Sequence, residues 1–263
     1  MNNIPTASGA RIAIFTICVV ALGNIFGLNY QALQGIGGLL FILSPALITI
    51  IMRTFTKDGW ADAGFGYRRG QVKILLAALL LFPLVFFFAI ASGTALGFVQ
   101  FEPDAFKNLT IAILTGVPMF LLFAISEEFA WRGYLEPKLA ALGMTALPRH
   151  LLVGLIWSIW HIGYVISETS QSTLPPLLYA LLFLISCFAM AVIYGQWRAK
   201  TGSFWPAAIA HCMANSLAWP LLTPEIIKVD APLWFAARPE GFVALATLCL
   251  LAVIMFVLRK NGT

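Results

Sequence analysis

Charge is what this sequence has least of. Of 263 residues, 10% are Asp, Glu, Lys or Arg and 60% are hydrophobic, whereas a soluble domain carries about 25% charged residues. The shortage excludes an ordinary soluble enzyme. Cysteine is also sparse: Cys18, Cys187, Cys212 and Cys249 lie singly in apolar stretches with no C-x-x-C spacing, so neither a disulfide framework nor a thiolate metal cluster is indicated. The glycines of the loop D-G-W-A-D-A-G-F-G-Y-R-R-G (residues 58–70) lack the P-loop pattern; its Trp60, Phe65 and Tyr67 suit an interfacial turn. Met1 to Ala10 holds no Lys or Arg, and Leu28-Asn29-Tyr30-Gln31 offers no small-x-small cleavage site, so the first apolar segment reads as a retained helix rather than a leader.

What the chain does have is long apolar runs. A helix crosses a bilayer in about 20 residues, and such runs stand at 12–30, 34–52, 72–98, 108–127, 149–167, 175–197, 203–222 and 241–259. These predict an all-α polytopic membrane protein, one transmembrane domain over 1–263 with about eight helices. Placing the N-terminus in the cytoplasm puts Arg11, Arg53, Lys57, Arg68, Arg69, Lys73, Arg132, Lys138, Arg149, Arg198, Lys200, Arg259 and Lys260 inside and leaves only Lys107, Lys228 and Arg238 outside. That is the positive-inside bias, and it accounts for the net charge of +5 without nucleic acid. Both termini are expected in the cytoplasm, and the membrane is expected to be the cell membrane, the inner one in a two-membrane bacterium. Gly23 and Gly27 form a small-x-x-x-small pair suited to close helix packing or self-association. Pro83 is expected to kink the third helix, and Pro175-Pro176 to open the sixth. Trp60, Trp205 and Trp234 suit the interfacial aromatic belt.

Ionisable side chains at membrane depth are costly and mark candidate functional sites. Here they are Glu127, Glu128 and Arg132 at the end of the fourth run, His161 in the fifth, and His211 with Asn215 in the seventh; His150, the remaining histidine, sits at a segment edge where solvent could serve it. At about 1.5 Å of rise per residue, all of them can meet in one cavity inside the cytoplasmic half of the bilayer. Glu128 and Arg132 are i and i+4 and can pair, while Glu127 is turned about 100° away and is left free. If the helix runs on to Lys138, Glu136 is also i+4 from Arg132 and could share it. His211 and Asn215 are likewise i and i+4. A free carboxylate can take a proton from water as general base, and a His/Asn pair can stabilise the oxyanion that forms on an amide carbonyl.

The pattern E-E-x-x-x-R (Glu127, Glu128, Arg132), then aromatic-x-x-x-H (Trp157 to His161), then H-x-x-x-N (His211 to Asn215), one motif per apolar helix and in that order, resembles the CPBP family of intramembrane proteases. This is the CAAX prenyl protease, Abi or Rce1-like and bacteriocin-processing group. The resemblance covers about residues 108–222, the catalytic core. It implies eight membrane helices with the site opening towards the cytoplasm and the membrane, and a lipidated or membrane-associated peptide as substrate. It also implies that Glu127 activates water which His161 helps to hold, that His211 and Asn215 stabilise the oxyanion, and that Glu128 and Arg132 support them. The second motif usually begins with Phe; Trp157 in its place is expected to serve as a packing residue.

Two other readings fit the same residues. Glu127, His161 and His211 could hold a zinc ion with water in the fourth position, although H-E-x-x-H is absent and the amide of Asn215 is a poor zinc ligand. A non-catalytic membrane scaffold or bacteriocin immunity protein could bind a partner in the same cavity. A transporter would spread polar groups along a path through broken, repeated helices, a pattern that is absent. No cofactor is expected under the leading reading, and neither the substrate nor the oligomeric state can be read from the residues.

Overall fold

The computed structural model describes residues 4–30, 35–66, 71–169 and 175–260, so Tyr67, Arg68, Arg69 and Gly70 of the expected cytoplasmic loop lie outside the described residues. The protein is an all-α polytopic membrane protein. Its helices are α1 (Ile4–Leu28), α2 (Ile36–Phe55), α3 (Val72–Ala95), α4 (Ala105–Ala130), α5 (Glu136–Ala141), α6 (Ala146–Trp160), α7 (Ile162–Thr169), α8 (Pro176–Thr201), α9 (Trp205–Leu221), α10 (Pro232–Phe235) and α11 (Phe242–Lys260). Five described stretches are long and apolar enough to cross a membrane: Ser8–Leu28, Ile36–Phe55, Val72–Ala95, Ala105–Ala141 and Pro176–Thr201. Each of the eight apolar runs read from the sequence coincides with helix. Pro176 opens α8 with Pro175 before it, and Gly202, at φ 69°, closes it in the left-handed conformation that glycine tolerates best.

One feature of the packing was not legible. The fifth run is broken at His161 into α6 and α7, because the Gly163 N–H leaves the helical ladder and donates to Asn24 Oδ1 at 2.9 Å, while Asn24 Nδ2 donates to the Ile159 carbonyl at 3.0 Å. One carboxamide from α1 thus satisfies the backbone that the break frees. Beside it, Gly23 faces the Trp160 ring and Gly27 the Tyr164 backbone with no room for a Cβ, so the small-residue pair is used in packing within this chain.

The loops gather at two ends. At one, Arg11 and Lys138 approach Asp58 at 3.1 and 4.0 Å, Arg53 and Lys138 approach Asp62 at 2.8 and 3.1 Å, and the Tyr134 hydroxyl donates to Asp58 at 2.6 Å. At the other end, β1 (Val99–Phe101) and β2 (Ile227–Val229) pair antiparallel in the register Val99 with Val229. Loops that the charge pattern assigns to one side therefore do meet one another.

Candidate active site

The fourth helix does continue past Gly133, but through a π-turn, Trp131–Leu135. Two carbonyls there are claimed from outside: the Gly133 oxygen accepts from the Arg53 guanidinium, and the Arg132 oxygen accepts from Arg198 Nε at 2.7 Å. Cations from α2 and α8 thus help to hold the widened turn, a device often found at functional sites. The wider turn also corrects an expectation. Glu136 is rotated off Arg132 and instead lies 3.0 Å from His150 Nδ1 and 3.6 Å from Arg149 Nε. His150 is fully buried, not a solvated edge residue.

At the start of that turn, Glu128 and Arg132 pair as their spacing predicts, at 2.8 Å with both side chains fully buried. The guanidinium lies between two aromatic faces, 4.9 Å from the Trp157 ring centre and 5.0 Å from that of Tyr194, an arrangement that stabilises a desolvated cation. Glu128 is not idled by the pairing, because its Oε1 lies 3.0 Å from His211 Nδ1. Only a donor suits a carboxylate there, so Nδ1 carries a proton and Nε2 turns to Glu127, whose Oε1 is 3.8 Å away.

Glu127 is buried, yet its carboxylate is not free: Oε2 accepts a 2.7 Å hydrogen bond from the Trp157 indole N–H. Trp157 is therefore more than the packing residue the sequence suggested. Its indole carries the donor that a Phe at this place lacks, and that difference was the one available signal. Trp157 and His161, four residues apart, project to the same side, and His161 Nδ1 donates to the Trp157 carbonyl at 3.0 Å. That leaves its Nε2 as an acceptor.

Trp157, His161, His211 and Asn215 line one cavity of about 450 Å³. His161 and Asn215 share that cavity without a direct hydrogen bond to Glu127, and the Asn215 amide has no hydrogen-bond partner among the described residues. Apolar walls from α8 and α9, among them Phe183, Met190 and Trp219, carry the cavity to Arg238, Glu240 and Gly241. The cavity thus runs towards the end that holds the β1–β2 pair, away from the Asp58–Lys138 cluster. Among the described residues, no three His, Cys, Asp or Glu side chains gather as a metal site.

Residues 108–217 match the family model described as type II CAAX prenyl endopeptidase Rce1-like. The chain carries an Rce1-like domain. The matched stretch contains all three motifs and the helices that carry them, α4, α6 and α9, which makes this Rce1-like protein a membrane-embedded endopeptidase whose substrates are peptides or prenylated proteins. No curated protein matches the chain.

Proposed function

We propose that the protein hydrolyses a peptide bond near the end of a lipidated or membrane-associated substrate, with water activated by Glu127 and no metal ion. The observation that carries this reading is a buried carboxylate held by the Trp157 indole at 2.7 Å, with His211 Nε2 at 3.8 Å on its other oxygen. Glu127 takes a proton from water while His161 Nε2 accepts a hydrogen bond from that water's second O–H. The hydroxide attacks the carbonyl carbon, the Asn215 amide and His211 Nε2–H receive the oxyanion, and Glu127 passes its proton to the departing amine. In this scheme His211 is the imidazolium, and with Arg132 it balances the charges of Glu127 and Glu128, which limits the cost of burying four ions together.

The reading places no metal on Glu127, whose Oε2 accepts from the Trp157 indole. Metal analysis of the active protein tests this, and stoichiometric zinc whose removal abolishes cleavage would sink it. The basic cluster at the α2/α5 end favours a cytoplasmic position for that end and for both termini, in a cell membrane. Quantitative peptidomics of membranes holding the wild-type chain or Glu127→Gln at matched levels tests the activity itself. Products that vanish with Glu127→Gln establish it and name the substrate; identical peptide pools would favour a scaffold or immunity role.

A further inference from the structure

The cavity is polar at both ends and apolar between them. At its far end stands Arg238, the only Lys or Arg among its lining residues. Two contacts prepare this guanidinium. It lies over the Tyr179 ring at 5.6 Å, its Nε faces Glu240 at 4.0 Å, and Glu240 is itself buried, at 8% exposure. Both terminal nitrogens are without a hydrogen-bond partner among the described residues. An arginine steadied at Nε by a buried carboxylate and on one face by an aromatic ring presents its remaining fork to a planar anion. Glu240 also offsets the charge while the site is empty.

The geometry points to Arg238 as the anchor for the C-terminal carboxylate of the peptide substrate, a reading that rests on the proposed hydrolysis. The spacing limits where cleavage falls. Tyr179 lies beneath Arg238, and on the same helix Phe183, whose ring is 4.8 Å from that of His161, and Met190 follow by four and eleven positions. These are distances of roughly 6 and 16 Å along the axis. An extended chain advances about 3.3 Å per residue, so the scissile bond falls about two to five residues from the free carboxylate. The apolar walls favour aliphatic or aromatic side chains on those residues.

The test uses the full-length protein in nanodiscs and one farnesylated fluorescent peptide with a Cys-aliphatic-aliphatic-X ending, made as the free acid and as the C-terminal amide. Binding is read by anisotropy on Glu127→Gln, and cleavage on the active chain. We expect the acid to bind about tenfold or more tighter than the amide. Arg238→Gln should remove that preference and raise KM for the acid alone, with kcat little changed, and Arg238→Lys should fall between. Equal binding of acid and amide, no binding of either, or equal losses for both in Arg238→Gln would overturn the anchor. A preference for the acid that Arg238→Gln abolishes, in a protein that cleaves neither peptide, would uphold the anchor and count against the hydrolytic function.

Discussion

Within nine residues of one helical run, the chain buries two clusters built from the same side chains. Glu128 with Arg132 and His211 lies at the start of the π-turn, and Glu136 with Arg149 and His150 lies after it. Both pair a carboxylate with an arginine and a histidine at similar distances. They differ in what adjoins them. The first meets Glu127, Trp157 and a cavity; the second is sealed, with His150 pressed against Gly195 so closely that a Cβ there would strike its ring. Access, rather than the kind of residue, separates a candidate active site from a structural lock.

The sharpest way to break the comparison is to neutralise one carboxylate beside each cluster. Glu127→Gln should lower hydrolysis by about 10²–10⁴-fold with an unchanged melting temperature. Glu136→Gln should do the reverse, leaving kcat per folded molecule near wild type while costing about 3–5 kcal/mol, since it leaves a buried cation without its partner. Activity assays beside thermal unfolding in detergent separate the two, and loss of kcat in folded Glu136→Gln would refute the division. Next in size, Trp157→Phe keeps most of the ring but deletes the donor to Glu127, and we expect kcat to fall about 10–100-fold with KM nearly constant; unchanged kcat would return Trp157 to packing. On the sealed side, Gly195→Ala should cost about 1–3 kcal/mol by overpacking against His150, visible as a lower melting temperature at unaltered specific activity.

The smallest effect belongs to the exposed end. Burial alone raises Asp58 and Asp62, but hydrogen bonds from Tyr134, Thr56 and Arg11 to the first, and from Arg53 and Lys138 to the second, outweigh it, so both carboxyls sit below the usual range. A depressed folded value means that their contribution is present above the unfolded pKa of about 3.9 and is lost as pH falls through the lower folded values. Thermal scans from pH 6 to pH 3 should show a modest acid loss that Asp58→Asn diminishes. A wild-type melting temperature flat across that range would remove this contribution.

The parts of the molecule read from sequence are those set by local pattern. Apolar runs gave the helices, alternate basic loops gave their grouping at two ends, and the i, i+4 spacing gave the Glu128–Arg132 pair. The matched residues 108–217 fall inside the stretch where the three motifs were recognised. What escaped depended on contacts between distant segments. His150 appeared solvated because nothing local reveals Glu136 folding over it; the π-turn follows from cations on α2 and α8; and the break at His161 needs Asn24, 137 positions earlier in the chain. The Trp157–Glu127 bond was half visible, as a Trp where Phe is usual, but its direction required the two helices to be placed. The cavity's course towards Arg238 was hidden because hydropathy locates helix ends too loosely to say on which side of His211 space remains.

The pairing of Glu128 with Arg132 inside one helix also bears on how the chain enters the bilayer. At the ribosome, α4 emerges more than eighty residues before His211 arrives to complete the cluster. Two charges of opposite sign one turn apart offset each other from the moment the segment coils. The membrane can therefore accept α4 early, with the candidate site half built, and later helices need only close around an ion pair that already exists.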